Sequence, residues 1–233
     1  MRAGILLLLS LVATTGSPAG DPPDSQLDPQ TGHIHTLDSK PSGTHQVIRH
    51  TEDPGQGQPT VTEITSGHAD VSPHLAVGRD SVVHVVWQRE LDADEIRVVA
   101  LGADGTPGTE RLLSEPGEES RNPDIVLLGS TAFVAYEVHG GTAVTVAVQT
   151  ILDDPDPIGP RIVVGTTSFA GDADVQIHAA EGHLWTTWMG AADDLAYAVF
   201  DTGTRTWATP AHLEVVDDVA TALKEVEGIV LGQ

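Results

Sequence analysis

The sequence predicts an all-β protein made of repeated four-stranded antiparallel blades, and three observations carry that prediction. Short runs rich in Val, Ile, Thr and aromatic residues alternate with Gly, Asp and Pro turns, as in Val82–Gln88, Ile96–Leu101, Ala132–Val138 and Thr142–Thr150. Three segments align as strand, Gly-containing turn and second strand: Asp70 onward (DVSPHLAVGRDSVVHVVWQ), Arg121 onward (RNPDIVLLGSTAFVAYEV) and Asp174 onward (DVQIHAAEGHLWTTWMG). Each second strand carries a large aromatic, Trp87, Tyr136 or Trp188, spaced about fifty residues apart. That period, with four strands per repeat, is that of a β-propeller. One blade cannot bury both its faces, and stacking blades around an axis does.

Composition sets the outer limits. The chain has 233 residues, 39% hydrophobic and 19% charged, which suits a folded body. Lys and Arg number 11 against 34 Asp and Glu, a net charge of −23, and this excludes the basic footprint that nucleic acids and anionic membranes require. The absence of cysteine excludes disulfides, thiolate metal sites and cysteine nucleophiles.

Taken in order, residues 1–19 read as a signal peptide. Arg2 supplies the charge, Ala3–Ala13 an apolar stretch too short to span a bilayer, and Ser17-Pro18-Ala19 the small-residue cleavage site. The mature protein is then secreted or periplasmic, with no membrane contact after cleavage. Residues 20–43, rich in Pro, Gly, Asp and Ser, read as a disordered leader. The propeller occupies residues 44–233. Residues 44–66 supply an outer half-blade, with strands at Gln46–His50 and Val61–Thr65. Residues 70–117, 118–169 and 170–214 are full blades. Residues 218–233 supply an inner half-blade, in which Glu227-Gly228 parallels Glu181-Gly182. The two halves pair into a fourth blade, closing the ring as a monomer without a long free edge. Two alternatives stay open: Asp217–Glu227 as a short helix stopped by Gly228, and a chain that is an open or truncated part of a larger propeller.

The segments PHLAVGRDSVVHVVWQ and HLWTTWMG resemble the sialidase-like propellers. In that superfamily an Asp-box turn (Ser-x-Asp-x-Gly-x-Thr-Trp) joins the third and fourth strands of a blade. The nearest match here is Asp201-Thr202-Gly203-Thr204-Arg205-Thr206-Trp207, one residue longer and without the Ser; Ala103-Asp104-Gly105-Thr106 and Asp153-Asp154-Pro155-Asp156 hold the equivalent places. The resemblance implies a propeller. Sialidase activity would further need three arginines on a carboxylate, a Tyr activated by a Glu, and an acid Asp. Tyr136 and Glu137 are strand neighbours on opposite faces, and Arg161-Ile162 lies on an outer strand, so no catalytic residue carries over.

A hydrolase elbow, a P-loop, a dinucleotide fingerprint and a His-Glu-x-x-His zinc motif are all absent. The sequence therefore points to a secreted non-catalytic propeller that binds a glycan or an extracellular protein. The alternatives are a divergent or truncated exo-glycosidase of the sialidase-like superfamily and a structural repeat piece of a cell-surface protein. Trp87, Tyr136 and Trp188 are expected in the core between blades. His74 and His178 fall at equivalent places on first strands, with Asp124 close to the same place, so these three are the channel-lining candidates and the candidate ligands of a channel cation. The acidic loops Asp92-Ala93-Asp94-Glu95, Asp153-Asp154-Pro155-Asp156 and Asp193-Asp194 offer oxygens to calcium without forming a complete binding loop. His33 and His35 share one face of an extended leader and could grip a metal there. No other cofactor is indicated.

Overall fold

The structure, a computed structural model, describes residues 24–151, 158–168, 171–180, 182–190 and 194–213. Among these residues there are seventeen strands and no helix. They form four consecutive antiparallel blades. The first contains β1 (Asp24–Leu27), β2 (Ile34–Ser42), β3 (His45–Asp53) and β4 (Thr60–Glu63). The second contains β5 (Ala69–Val77), β6 (Val83–Glu90), β7 (Glu95–Leu101) and β8 (Arg111–Leu112). The third contains β9 (Glu119–Leu128), β10 (Thr131–Gly140), β11 (Ala143–Ile151) and β12 (Ile162–Thr167). The fourth contains β13 (Gln176–Ala180), β14 (His183–Met189) and β15 (Leu195–Asp201), with β16 (Thr206–Trp207) and β17 (Ala211–Leu213) both paired to β15.

Three apolar clusters fill the spaces between blades. Leu37 and Ile48 of the first blade meet Leu75, Val85 and Trp87 of the second. Val86, Ile96 and Val98 of the second meet Ile125, Val134 and Tyr136 of the third. Val146, Val148 and Val164 of the third meet Ile177, Leu184 and Trp188 of the fourth. Trp87, Tyr136 and Trp188 thus each face the preceding blade, and all three are fully buried. The polar tip of Trp87 is satisfied by Asp70 at 3.1 Å and that of Tyr136 by Gln149 at 2.6 Å.

The expected leader is corrected by the first two strands. Residues 24–27 and 34–42 are not a disordered spacer but the inner half of the first blade. The physical reason is a period of two hidden by composition: in Ile34-His35-Thr36-Leu37, His35 and Leu37 turn inward and are buried. The hairpin between the strands is built by Asp28, whose carboxylate accepts the Gln30 backbone N–H and the Thr31 hydroxyl, both at 2.7 Å. Gly32 supplies the positive φ of 74° that closes it.

This also corrects how the outer half-blade is completed. β2 pairs with β3 over nine residues, from Ile34–Asp53 to Ser42–His45, so the place beside β3 is filled by residues 34–42. Residues 218–233 lie outside the described residues, as does the alternative helix at 217–227. First strands of successive blades touch, β1 with β5, β5 with β9 and β9 with β13. Among the described residues no comparable packing joins the fourth blade to the first, and the closure expected from residues 218–233 lies outside them.

Candidate functional site

The inner strands carry a repeated irregularity that sets their register. Ser72, Asn122 and Asp174 adopt positive φ of 47°, 48° and 48°. In β5 and β9 the pairing with the second strand slips at this point, between Val71 and His74 and opposite Ala135 and Glu137. Two residues after each of these stand His74, Asp124 and Gln176. The expected equivalence of His74 and His178 is therefore corrected: Gln176 holds the place of His74, and His178 lies two residues further on the same face.

His74 and Asp124 do come together, and a residue absent from the sequence-based set joins them. The Nδ1 of His74 lies 3.5 Å from Oδ1 of Asp124 and 3.8 Å from Oδ2 of Asp24. Two carboxylates, from the first strands of the first and third blades, thus converge on one imidazole nitrogen. Asp24 falls in the segment whose composition reads as a leader. The signal that marks it is Pro23-Asp24, which matches Pro73-His74 and Pro123-Asp124.

The same acids bind the backbone of the next blade. Asp24 Oδ2 accepts the Leu75 N–H, and Asp124 Oδ2 accepts the Ile177 N–H, each at 2.8 Å. Leu75 and Ile177 are both the third residue after the positive-φ position. At the matching place in the third blade, Ile125 follows a blade that offers His74 instead of an acid, and its N–H turns to Asp124 of its own strand at 2.8 Å. Burial pushes the Asp124 carboxyl above its ordinary pKa, against the opposing pull of His74 and these N–H donors. Burial likewise lowers the pKa of His178, whose ring lies 5.6 Å from that of Trp185.

The remaining candidates disperse. His33 and His35 do not share a ligand: His33 Nδ1 meets Glu52 at 2.6 Å, while His35 is buried against His50, ring to ring, with Nδ1 2.9 Å from Nε2. Tyr136 is pushed up to about 12 by burial and faces away from Glu137. Arg161 pairs with Glu118. In the acidic loops, Asp94 accepts from Gln88 and Leu91 and pairs with Arg121, and Asp194 meets His212 at 2.8 Å. Residues 153–156 and 193 lie outside the described residues.

No family model and no curated protein sequence matches this chain. Its likeness to solved structures is one of fold. It aligns with an exo-1,5-α-L-arabinanase from a bovine ruminal metagenomic library at 12% identity, TM-score 0.54, over 82% of this chain and 77% of that one. It aligns with an endo-1,4-β-xylanase from Bacteroides thetaiotaomicron at 13% identity, TM-score 0.50, over 81% and 74%. An α-L-arabinofuranosidase from Clostridium thermocellum gives 10% identity, TM-score 0.50, over 82% and 72%. These neighbours are β-propellers, and the all-β blade architecture is shared with them.

Proposed function

We propose that this chain is an exported glycan-directed propeller whose Asp24, His74 and Asp124 act as a glycosidase site. The observation that carries the reading is the pair of carboxylates that converge on one imidazole nitrogen, His74 Nδ1. Glycoside hydrolysis needs two carboxyl groups facing the scissile bond, one protonated and one ionised. Asp124, raised by burial, suits the acid that protonates the leaving oxygen. Asp24 takes the part of the base, and His74 Nδ1 lies within ion-pair reach of both acids. The likeness of fold to arabinan- and xylan-directed hydrolases supports carbohydrate as the substrate class.

The finer placement among sialidase-like propellers rests on Asp-capped turns between third and fourth strands. Asp201 Oδ1 accepts the Gly203 and Thr204 N–H groups, Asp104 Oδ1 that of Thr106, and Asp53 Oδ1 that of Gly55. This is turn chemistry and does not extend to sialic acid as a substrate.

A second reading, glycan or protein binding without turnover, has its own observation. Both acids already accept backbone N–H groups of the next blade, which is a purely structural use. Aryl α-L-arabinofuranoside, β-D-xyloside and β-D-galactoside, with arabinan and xylan, separate the two. The hydrolytic reading expects turnover that falls about 10²–10⁴-fold in Asp24→Asn and Asp124→Asn folded variants. Retention of these glycans on an affinity gel with no turnover assigns the binding reading instead.

A further inference from the structure

We propose that Glu137, His139 and Asp172 form a binding site for a divalent transition-metal ion between the third and fourth blades. Glu137 and His139 are two residues apart on β10, so both project from one face of the third blade. Asp172 approaches that face from the segment that leads into β13. His139 Nε2 lies 2.8 Å from Glu137 Oε2 and 3.9 Å from Asp172 Oδ1. The three donor atoms all fall within 4.8 Å of one another.

The donor chemistry selects the class of ion. One imidazole nitrogen with two carboxylate oxygens suits Zn2+, Mn2+ or Fe2+ better than Ca2+ or Mg2+, which prefer oxygen alone. The buried Glu137 carboxylate is braced from behind, because Asn122 Nδ2 donates to its Oε1 at 3.0 Å and leaves Oε2 toward His139. A cavity of about 310 Å3 lined by His139, Thr142, Ser168 and Gly171 adjoins the cluster. It leaves room beside His139 for water to complete the coordination. Arg121 Nη1 stands 3.6 Å from Asp172 Oδ1, the oxygen that also faces His139, while its Nε and Nη2 serve Asp94 and Glu119, so an ion bound here shares that carboxylate with the guanidinium or displaces it. The competing occupant is a single proton held between His139 and Glu137.

The test is Zn2+ binding to the purified, chelator-stripped chain, by calorimetry and by metal analysis after gel filtration. The expected result is one Zn2+ per chain, a raised melting temperature with Zn2+, and affinity reduced roughly tenfold or more in both His139→Ala and Asp172→Asn. His139→Ala uncovers a buried carboxylate and can unfold the blade. Asp172→Asn alters a half-exposed side chain, so its loss of Zn2+ is read on folded protein. His74→Ala is expected to bind as the parent does. No uptake by the parent overturns the proposal. So does affinity unchanged in Asp172→Asn, or loss of the bound ion in His74→Ala, which would move the site to the inner strands.

Discussion

Gly165 and Trp188 compete for the same space: a Cβ placed on Gly165 would lie 2.2 Å from Cζ2 of the Trp188 indole. Gly165 is on β12 and Trp188 on β14, so this contact fixes how closely the fourth blade seats on the third. Gly165→Ala should cost about 1–3 kcal/mol, since a buried indole has nowhere to retreat. Urea unfolding measures it. An unchanged midpoint would mean that the two blades slide past each other without penalty.

Asp70 and Arg89 make a second test. Asp70 is fully buried and accepts from the Trp87 indole, and from Arg89 Nε at 2.8 Å. Removing only the cation, in Arg89→Met, leaves a buried charge uncompensated and should cost on the order of 3–5 kcal/mol. Pairing it with Asp70→Asn should recover part of that loss. If the double variant is no more stable than the single one, the charge pair is not what holds this corner.

The stacked pair His35 and His50 predicts an acid limb of stability. Burial lowers both pKa values, that of His50 from 6.5 to about 4. The folded protein therefore binds fewer protons than the unfolded chain below pH 6.5. The stability this represents is complete above 6.5 and is lost as the pH falls through about 4, on the order of 3 kcal/mol for His50. Asp28 acts lower down. Burial pushes its carboxyl up, but hydrogen bonds from Gln30 and Thr31 outweigh that and hold it at about 2, so its share persists above 3.8 and disappears as the pH falls through about 2. Chemical denaturation between pH 7.5 and 4.5 should show the first limb. His50→Gln should flatten it, and a parent curve without a slope in that window would contradict the assignment.

Deleting residues 24–42 removes β1 and β2 and uncovers Leu75 and Trp87. The shortened chain should self-associate on gel filtration and melt well below the parent. Identical melting of the two chains would return these residues to the role of a spacer.

The blades were legible because their aromatics and strand alternation repeat. Trp87, Tyr136 and Trp188 stand at matching places on β6, β10 and β14, and no local feature of those strands contradicts the pattern. The inner half of the first blade was hidden by its own turn chemistry. Asp21-Pro22-Pro23-Asp24 and Asp28-Pro29-Gln30-Thr31-Gly32 carry the residues of disorder, although the second of them builds a hairpin. The site was half legible for a related reason. Aligning Asp70 with Asp174 set the inner strands two residues out, because the true landmark is a backbone angle at Ser72, Asn122 and Asp174 that three different side chains share. Glu137 reads as a strand residue until Asp172 arrives from the next blade.

The clips from Asp24 to Leu75 and from Asp124 to Ile177 run one way along the chain, from an earlier blade to its successor. The aromatics obey the same polarity, each reaching back to the blade before it. A chain that emerges N-terminus first therefore offers the second and fourth blades a surface already equipped with the acceptor that the backbone after their positive-φ residue needs, while the third blade brings its own in Asp124. Order of synthesis and order of dependence coincide, and the raw apolar face is confined at each moment to the growing end.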